Sequence, residues 1–282
     1  MTGRGDGAHG ELVLLERFDG YAVVTLNRPE KANAMNAAAQ TELAAALDAV
    51  REDCRAVVLT GAGHRSFCAG VDLSERRGLS KNQVQERLFS WGADPWFEIQ
   101  ERILRHPAVF VAAVNGAALG GGLTLVNNCE IAVASDAAVF GMPEIGLGTF
   151  PALSGASTLH RILPKHAAYL VLTADRVDAE KALRWGLVTE VVRPDDVLSR
   201  AKEIAAIVGK LDPVVVDFSK RAVREVPTMD WSRSIDYGLR TGMVVRANSD
   251  AAVAGVTRFL DRAERGGGNT SAPSSTTAEP HT

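Results

Sequence analysis

The sequence predicts an α/β protein with largely parallel strand pairing, closed by a smaller helical C-terminal part. Three observations carry that prediction. Continuous apolar runs recur at 56–61 (AVVLTG), 109–116 (VFVAAVNG) and 130–136 (EIAVASD). Strands covered on both faces lose the polar/apolar alternation of half-exposed strands, and that is the pattern of parallel sheets. Between about 11 and 192 these runs alternate with helical segments, and from 195 onward only helical patterns remain.

Taken in order, LVLLERFDGYAVVTLN begins the ordered chain, with two β-rich runs flanking Asp19-Gly20. Such a dipeptide between strands predicts a hairpin with a type I′ turn. A helix follows over about 37–52, because Leu43, Ala46, Leu47 and Val50 share one face. After the buried strand 56–61 comes a polar loop, then a long helix ending before Pro107. The next buried strand leads directly into NGAALGGGLTLVNN, whose glycines open a helix, and 130–136 forms the third buried strand. Helical patterns then cover 196–210, 213–225 and 229–264. The domain expectation is a disordered leader at 1–10, an α/β core at 11–194, a helical region at 195–264 and a disordered Gly/Ser/Thr/Pro-rich tail at 265–282.

Composition narrows the function classes. With 282 residues, 46% hydrophobic and 23% charged, the chain has ample core for a globular domain. A net charge of −3 gives no general attraction to nucleic acid or anionic membranes. The uncharged run 108–126 has the length of a membrane span, but Asn115 and four glycines interrupt it, so it reads as a buried strand and helix. Cys54, Cys68 and Cys129 are widely separated and odd in number, which fits reduced thiols in a cytoplasmic protein. His64, His106, His160 and His166 lack metal-ligand spacing, so no metal is expected.

The triplet Gly120-Gly121-Gly122 lacks the spacing of a dinucleotide fingerprint, and TGAGHRS (60–66) runs on into FCAGVDL instead of a helix. Close helix packing is one reading of the triplet. The other is that a backbone N–H at a helix start faces a ligand, where free amides and the helix dipole stabilise negative charge. A second turn of this kind occurs in SFCAGVDL (66–73), and two such turns converging on one oxygen would make an oxyanion hole.

The segments VVTLNRPEKANAMN (23–36), SFCAGVDL (66–73), AAVNGAALGGGLTLVNNCEIAVASD (112–136) and FGMPEIGLG (140–148) occur in that order, and together they resemble the crotonase, or enoyl-CoA hydratase/isomerase, superfamily over about 11–264. The resemblance implies a crotonase-like spiral of repeated β-β-α units with a helical C-terminal region that forms trimers, often as dimers of trimers. It implies an acyl-CoA thioester substrate, with coenzyme A carried by the substrate and no permanently bound cofactor. By the same resemblance, Val71 and Gly121 supply the oxyanion amides. Arg28, Lys31 and Ala32, with Ala69, Gly70, Val71, Asp72 and Leu73, enclose the coenzyme A moiety.

Hydratases of this superfamily carry two glutamates facing one water. Here the first position is Thr124, which cannot act as a base at neutral pH although its hydroxyl can position water, and the second is Glu144. Where many hydratases have a glycine-rich turn that helps hold the water, this chain has Ala152, Leu153 and Ser154. The expected activity is therefore an enoyl-CoA hydratase or a Δ3,Δ2-enoyl-CoA isomerase with Glu144 as sole acid/base. The alternatives are a hydroxycinnamoyl-type CoA hydratase-lyase or a weakly active acyl-CoA-binding protein. Trp91, Trp96 and Phe97 stand at helical spacing and read either as core or as a wall of the acyl pocket.

Overall fold

The computed structural model describes residues 12–78, 80, 82–83 and 95–267. The expected leader and nearly all of the expected tail lie outside these residues, as does Trp91.

Two sheets organise the first unit. The larger has six strands in the order β1 (Val13–Arg17), β2 (Tyr21–Leu26), β3 (Ala56–Gly61), β5 (Val109–Val114), β7 (Ile131–Ser135) and β10 (Glu190–Val192). Only the β1–β2 pair is antiparallel. The smaller sheet contains β4 (Ser66–Cys68), β6 (Ala117–Leu119), β8 (Val139–Gly141) and β9 (Arg176–Asp178). Its first three strands run parallel and β9 antiparallel. Each long strand β3, β5 and β7 is followed by a three-residue strand in the other sheet, and the order β3-β5-β7 is repeated as β4-β6-β8. This is the expected β-β-α repeat.

Two local expectations are corrected. Gly20 has φ +75° but Asp19 does not take a positive φ, so the hairpin turns with one left-handed residue, not the two of a type I′ turn. The glycine-rich helix also does not follow β5 directly. The chain first crosses to the smaller sheet as β6 and only then forms the helix, because Gly116 lets the backbone pass against Arg65, 2.5 Å from where a Cβ would lie.

The helices lie as the apolar periodicity requires. α1 (Ala37–Ala49) is capped by Asn36, whose side chain accepts from Ala39 N–H, and it buries Ala39, Leu43, Ala46 and Leu47. α2 (Pro95–Arg105), α3 (Gly121–Asn128), α4 (Ala152–Leu159), α5 (Pro164–Thr173) and α6 (Ala179–Arg184) follow. Alternate residues of β3 separate two cores. Val57 and Leu59 join the main cluster with Leu43, Leu47, Ile99 and Leu123. Ala56 and Val58 face Val197, Ala201 and Ala205 of α7 (Val197–Gly209) on the other side. No helix among the described residues is long and apolar enough to cross a membrane.

The compact unit therefore runs past the boundary expected at 194, because α7 is needed to cover the sheet, and the division falls after Glu225. α8 (Pro213–Glu225) ends this unit. The second unit contains α9 (Trp231–Asn248) and α10 (Ala251–Gly267). The single helical segment expected over 229–264 is broken at Ser249-Asp250, where Ser249 is extended and its Oγ accepts from Ala251 N–H at 3.1 Å. Trp231, Leu239, Met243, Val253, Val256 and Phe259 are exposed on these two helices.

A buried polar knot secures the end of α2. Lys220 Nζ of α8 donates to the carbonyls of Ile103 at 2.9 Å, His106 at 2.7 Å and Ala108 at 2.8 Å. His106 Nδ1 accepts from Ala108 N–H at 3.1 Å, which leaves Nε2–H to donate to Leu47 O at 3.2 Å. Burial, aided by the Lys220 charge, pushes the His106 pKa down to about 4. Below the ordinary histidine range the unfolded chain binds a proton that the folded chain refuses. This contribution is thus complete above about pH 6.5 and is lost as pH falls toward 4, by ~3 kcal/mol. We expect urea unfolding at pH 7 and pH 4.5 to show the loss, and a His106→Gln variant to show a smaller one. An equal acid loss in both proteins would refute the assignment.

Candidate active site

The site is assembled by three turns and one loop. In the loop at 28–34, Ala32 and Asn33 both have left-handed backbone, φ 52° and 55°. Asn33 holds this shape from within. Its Oδ1 accepts from Arg28 N–H at 3.0 Å, and its Nδ2 donates to the carbonyls of Ala62 at 3.0 Å and Ser66 at 2.8 Å. An asparagine in a left-handed position is the signal that could have singled it out in the sequence.

The loop is laced to the turn at 69–72. Ala69 N–H donates to Ala32 O at 3.0 Å, Met35 N–H to Gly70 O at 2.8 Å, and Asp72 N–H to Met35 O at 3.0 Å. This parallel bridge between Met35 and Val71 runs through Gly70 and Asp72, so the Val71 N–H points away from it. Cys68 supports the turn, its Sγ accepting from Gly70 N–H at 3.3 Å. Burial pushes the Cys68 thiol up to about 12, which makes it an inert packing group.

Arg28 and Asp72 form a buried ion pair at 3.1 Å, with side chains 11% and 10% exposed. Arg28 also donates to Ala34 O. Ser74, through its hydroxyl at 2.6 Å and its N–H at 3.0 Å, together with Arg28, holds the Asp72 carboxyl below the usual range. Two of the residues expected around coenzyme A thus neutralise one another and fix the backbone. Lys31 and Leu73 are exposed, and Ala32 and Ala69 are half-buried.

The two glycine turns meet. Gly70 has φ +90°, and a Cβ there would lie 2.9 Å from Gly121 N and 3.5 Å from Gly121 Cα. Gly121 is the first residue of α3, where N–H groups have no partner within the helix. The glycine triplet is dictated by one backbone dihedral and two neighbours. Gly120 has φ +53°, a Cβ on Gly121 would stand 2.9 Å from the Trp96 indole, and one on Gly122 would stand 1.9 Å from Cys68 O. Close packing, one of the two sequence readings of this triplet, is therefore present. Trp96 is buried against the candidate oxyanion turn, whereas Phe97 is 40% exposed.

Glu144 sits at the same helix start. A Cβ on Gly120 would be 3.1 Å from Glu144 Oε1 and 3.8 Å from Oε2. The backbone of Glu144 is fixed by the short helical turn it opens, its carbonyl accepting from Leu147 and Thr149 N–H at 3.0 and 2.9 Å. Oε1 accepts from Ser154 Oγ at 2.6 Å. Oε2 is buried and has no hydrogen-bond partner among the described residues. A buried oxygen left bare costs stability unless a ligand or water completes it.

Thr124 stands one helical turn into α3, 2% exposed, and its hydroxyl donates to Gly120 O at 3.4 Å. Its proton is thereby turned back onto its own helix. The sequence reading missed Ser154 as a partner of Glu144. Its only sequence signal is the departure from the glycine-rich turn, which does not reveal where the hydroxyl points.

Residues 16–265 match the pattern that defines the enoyl-CoA hydratase/isomerase family. The chain is 41% identical over 214 residues to a short-chain-enoyl-CoA hydratase of Clostridium acetobutylicum, covering 75% of this chain and 80% of that protein. It is 34% identical to a crotonyl-CoA hydratase of Syntrophomonas wolfei, covering 89% and 96%. Among solved structures, an enoyl-CoA hydratase of Bacillus anthracis superposes with a TM-score of 0.82 at 28% identity, covering 89% of this chain and 96% of that one.

Proposed function

The chain belongs to the enoyl-CoA hydratase/isomerase family, and from that premise we propose that Glu144 moves a proton along an enoyl-CoA thioester whose carbonyl oxygen is held by the Val71 and Gly121 amides. It is an enzyme of the hydratase/isomerase type. The observation that carries the finer reading is the bare Oε2 of Glu144 beside the convergent turns at Gly70 and Gly121.

In the favoured reaction the substrate is a 3-enoyl-CoA. Glu144 Oε2 takes a proton from C2, the electron pair of the broken C2–H bond forms a C1–C2 double bond, and the carbonyl π pair moves onto the thioester oxygen. Negative charge grows on that oxygen, and each amide aimed at it stabilises the transition state by ~3 kcal/mol. The carbonyl then re-forms, the C1–C2 pair shifts to make the C2–C3 double bond, and the C3–C4 pair takes the same proton from the carboxyl at C4, so a 2-enoyl-CoA leaves. One carboxylate suffices, no water is consumed, and Thr124 is not required to titrate. Leu153, half-buried and packed on the core beside Ser154, helps to keep water out.

Coenzyme A would lie along the laced segments 28–32 and 69–73. The Arg28–Asp72 pair shapes that surface, and Lys31 is the exposed cation available to a phosphate. The exposed apolar residues of α9 and α10 are the surface that a homotrimer, or a dimer of trimers, would bury, and such an assembly is part of this reading.

Hydration of a 2-enoyl-CoA is the second reading, favoured by the relatives named as hydratases. The absorbance of the conjugated thioester separates the two. We expect a rise when the protein is added to trans-3-hexenoyl-CoA and no fall with trans-2-hexenoyl-CoA. A fall with the 2-enoyl compound and no rise with the 3-enoyl compound would overturn isomerisation in favour of hydration.

A further inference from the structure

The geometry points to Ser154 as a positioning residue that holds Glu144 Oε1 and so makes Oε2 the single reacting oxygen. This inference rests on the reading of Glu144 as the acid/base. Ser154 is 2% exposed, and its hydroxyl lies 2.6 Å from Oε1. A serine inside a helix commonly returns its proton to a carbonyl one turn back, as Thr124 does in α3. Ser154 donates to the carboxylate of another segment instead.

The serine is itself held. Ser157 Oγ donates to Ser154 O at 3.1 Å. Asn127 Nδ2, from the later half of α3, donates to Ser157 Oγ at 3.0 Å and to Thr158 Oγ1 at 2.9 Å. The network therefore begins on the helix that presents the Gly121 amide and ends on the carboxylate. It fixes the acid/base and one oxyanion donor as a unit, so that the proton leaves C2 and returns at C4 through the same oxygen. The buried hydroxyl occupies the side of Oε1 that a water would otherwise hydrogen-bond.

The test compares full-length Ser154→Ala and Ser154→Cys with the native protein, using trans-3-hexenoyl-CoA. Cysteine keeps the volume and lacks a strong donor. In both variants kcat is expected to fall about tenfold, from loss of orientation, with KM changed by less than roughly threefold. A loss confined to kcat with KM kept is a split that a merely structural role would not produce. In a Glu144→Gln background Ser154→Ala should have no further effect on the residual rate. Folded Ser154 variants with native kcat would overturn the positioning role while leaving Glu144 in place. Native activity in Glu144→Gln would instead remove the reading on which this inference rests.

Discussion

Replacing Glu144 by glutamine is expected to lower kcat by about a hundred- to ten-thousandfold while binding of a CoA thioester survives. Glutamine keeps the shape and can still accept from Ser154 Oγ, so the hydrogen bond at Oε1 has a counterpart. The other carboxylate oxygen, buried and bare, becomes an amide nitrogen or carbonyl that cannot take a proton at neutral pH. The loss should therefore lie in kcat, with the dissociation constant of a saturated acyl-CoA nearly unchanged. Isothermal titration together with single-turnover absorbance separates the two quantities. Undiminished turnover would show that the acid/base lies elsewhere.

The second large effect is expected from Gly70→Ala, which should reduce kcat/KM by roughly a hundred- to a thousandfold, the loss typical of removing one oxyanion donor. Two causes act together. At φ +90° an alanine is strained, and its Cβ would stand 2.9 Å from Gly121 N and 3.0 Å from Leu119 O. Something must shift, and the nearest atoms are backbone, so the second amide moves with the first. Gly186→Ala is the control. Its φ is +76°, and nothing lies within 4 Å of its Cβ position, so it carries backbone strain without touching the donors. Equal losses of activity in the two variants would show that strain alone, and not the amide geometry, was responsible.

Much of the fold was legible because the long strands are buried on both faces. AVVLTG and VFVAAVNG read as strands since every residue of 56–61 and nearly every residue of 109–114 is enclosed. The short strands were not legible. Three residues such as Ser66–Cys68 or Ala117–Leu119 are too few to show a period, and they become strands only through pairing with one another. The turn at Asp19-Gly20 was legible as a hairpin but not in its dihedrals. The break of the last helical segment at Ser249 depends on a side-chain cap that competes only locally with helix continuation. The expected boundary at 194 failed for a tertiary reason, since the apolar stripe of α7 shows that it is covered but not that the sheet lies beneath it.

Within the candidate site, the family resemblance pointed to Val71, Gly121 and Glu144, while the glycines at 70 and 120–122 marked the turns from the chain itself. The sequence by itself therefore determined the fold class and the two glycine turns. Only the tertiary structure decided that Gly70 and Gly121 meet, that Arg28 is neutralised by Asp72, that Asn33 ties three segments together, and that Ser154 donates to Glu144. The physical reason is directional. Periodicity and turn chemistry depend on neighbours along the chain, whereas a hydrogen bond or a van der Waals contact between distant residues depends on where both backbones are finally placed.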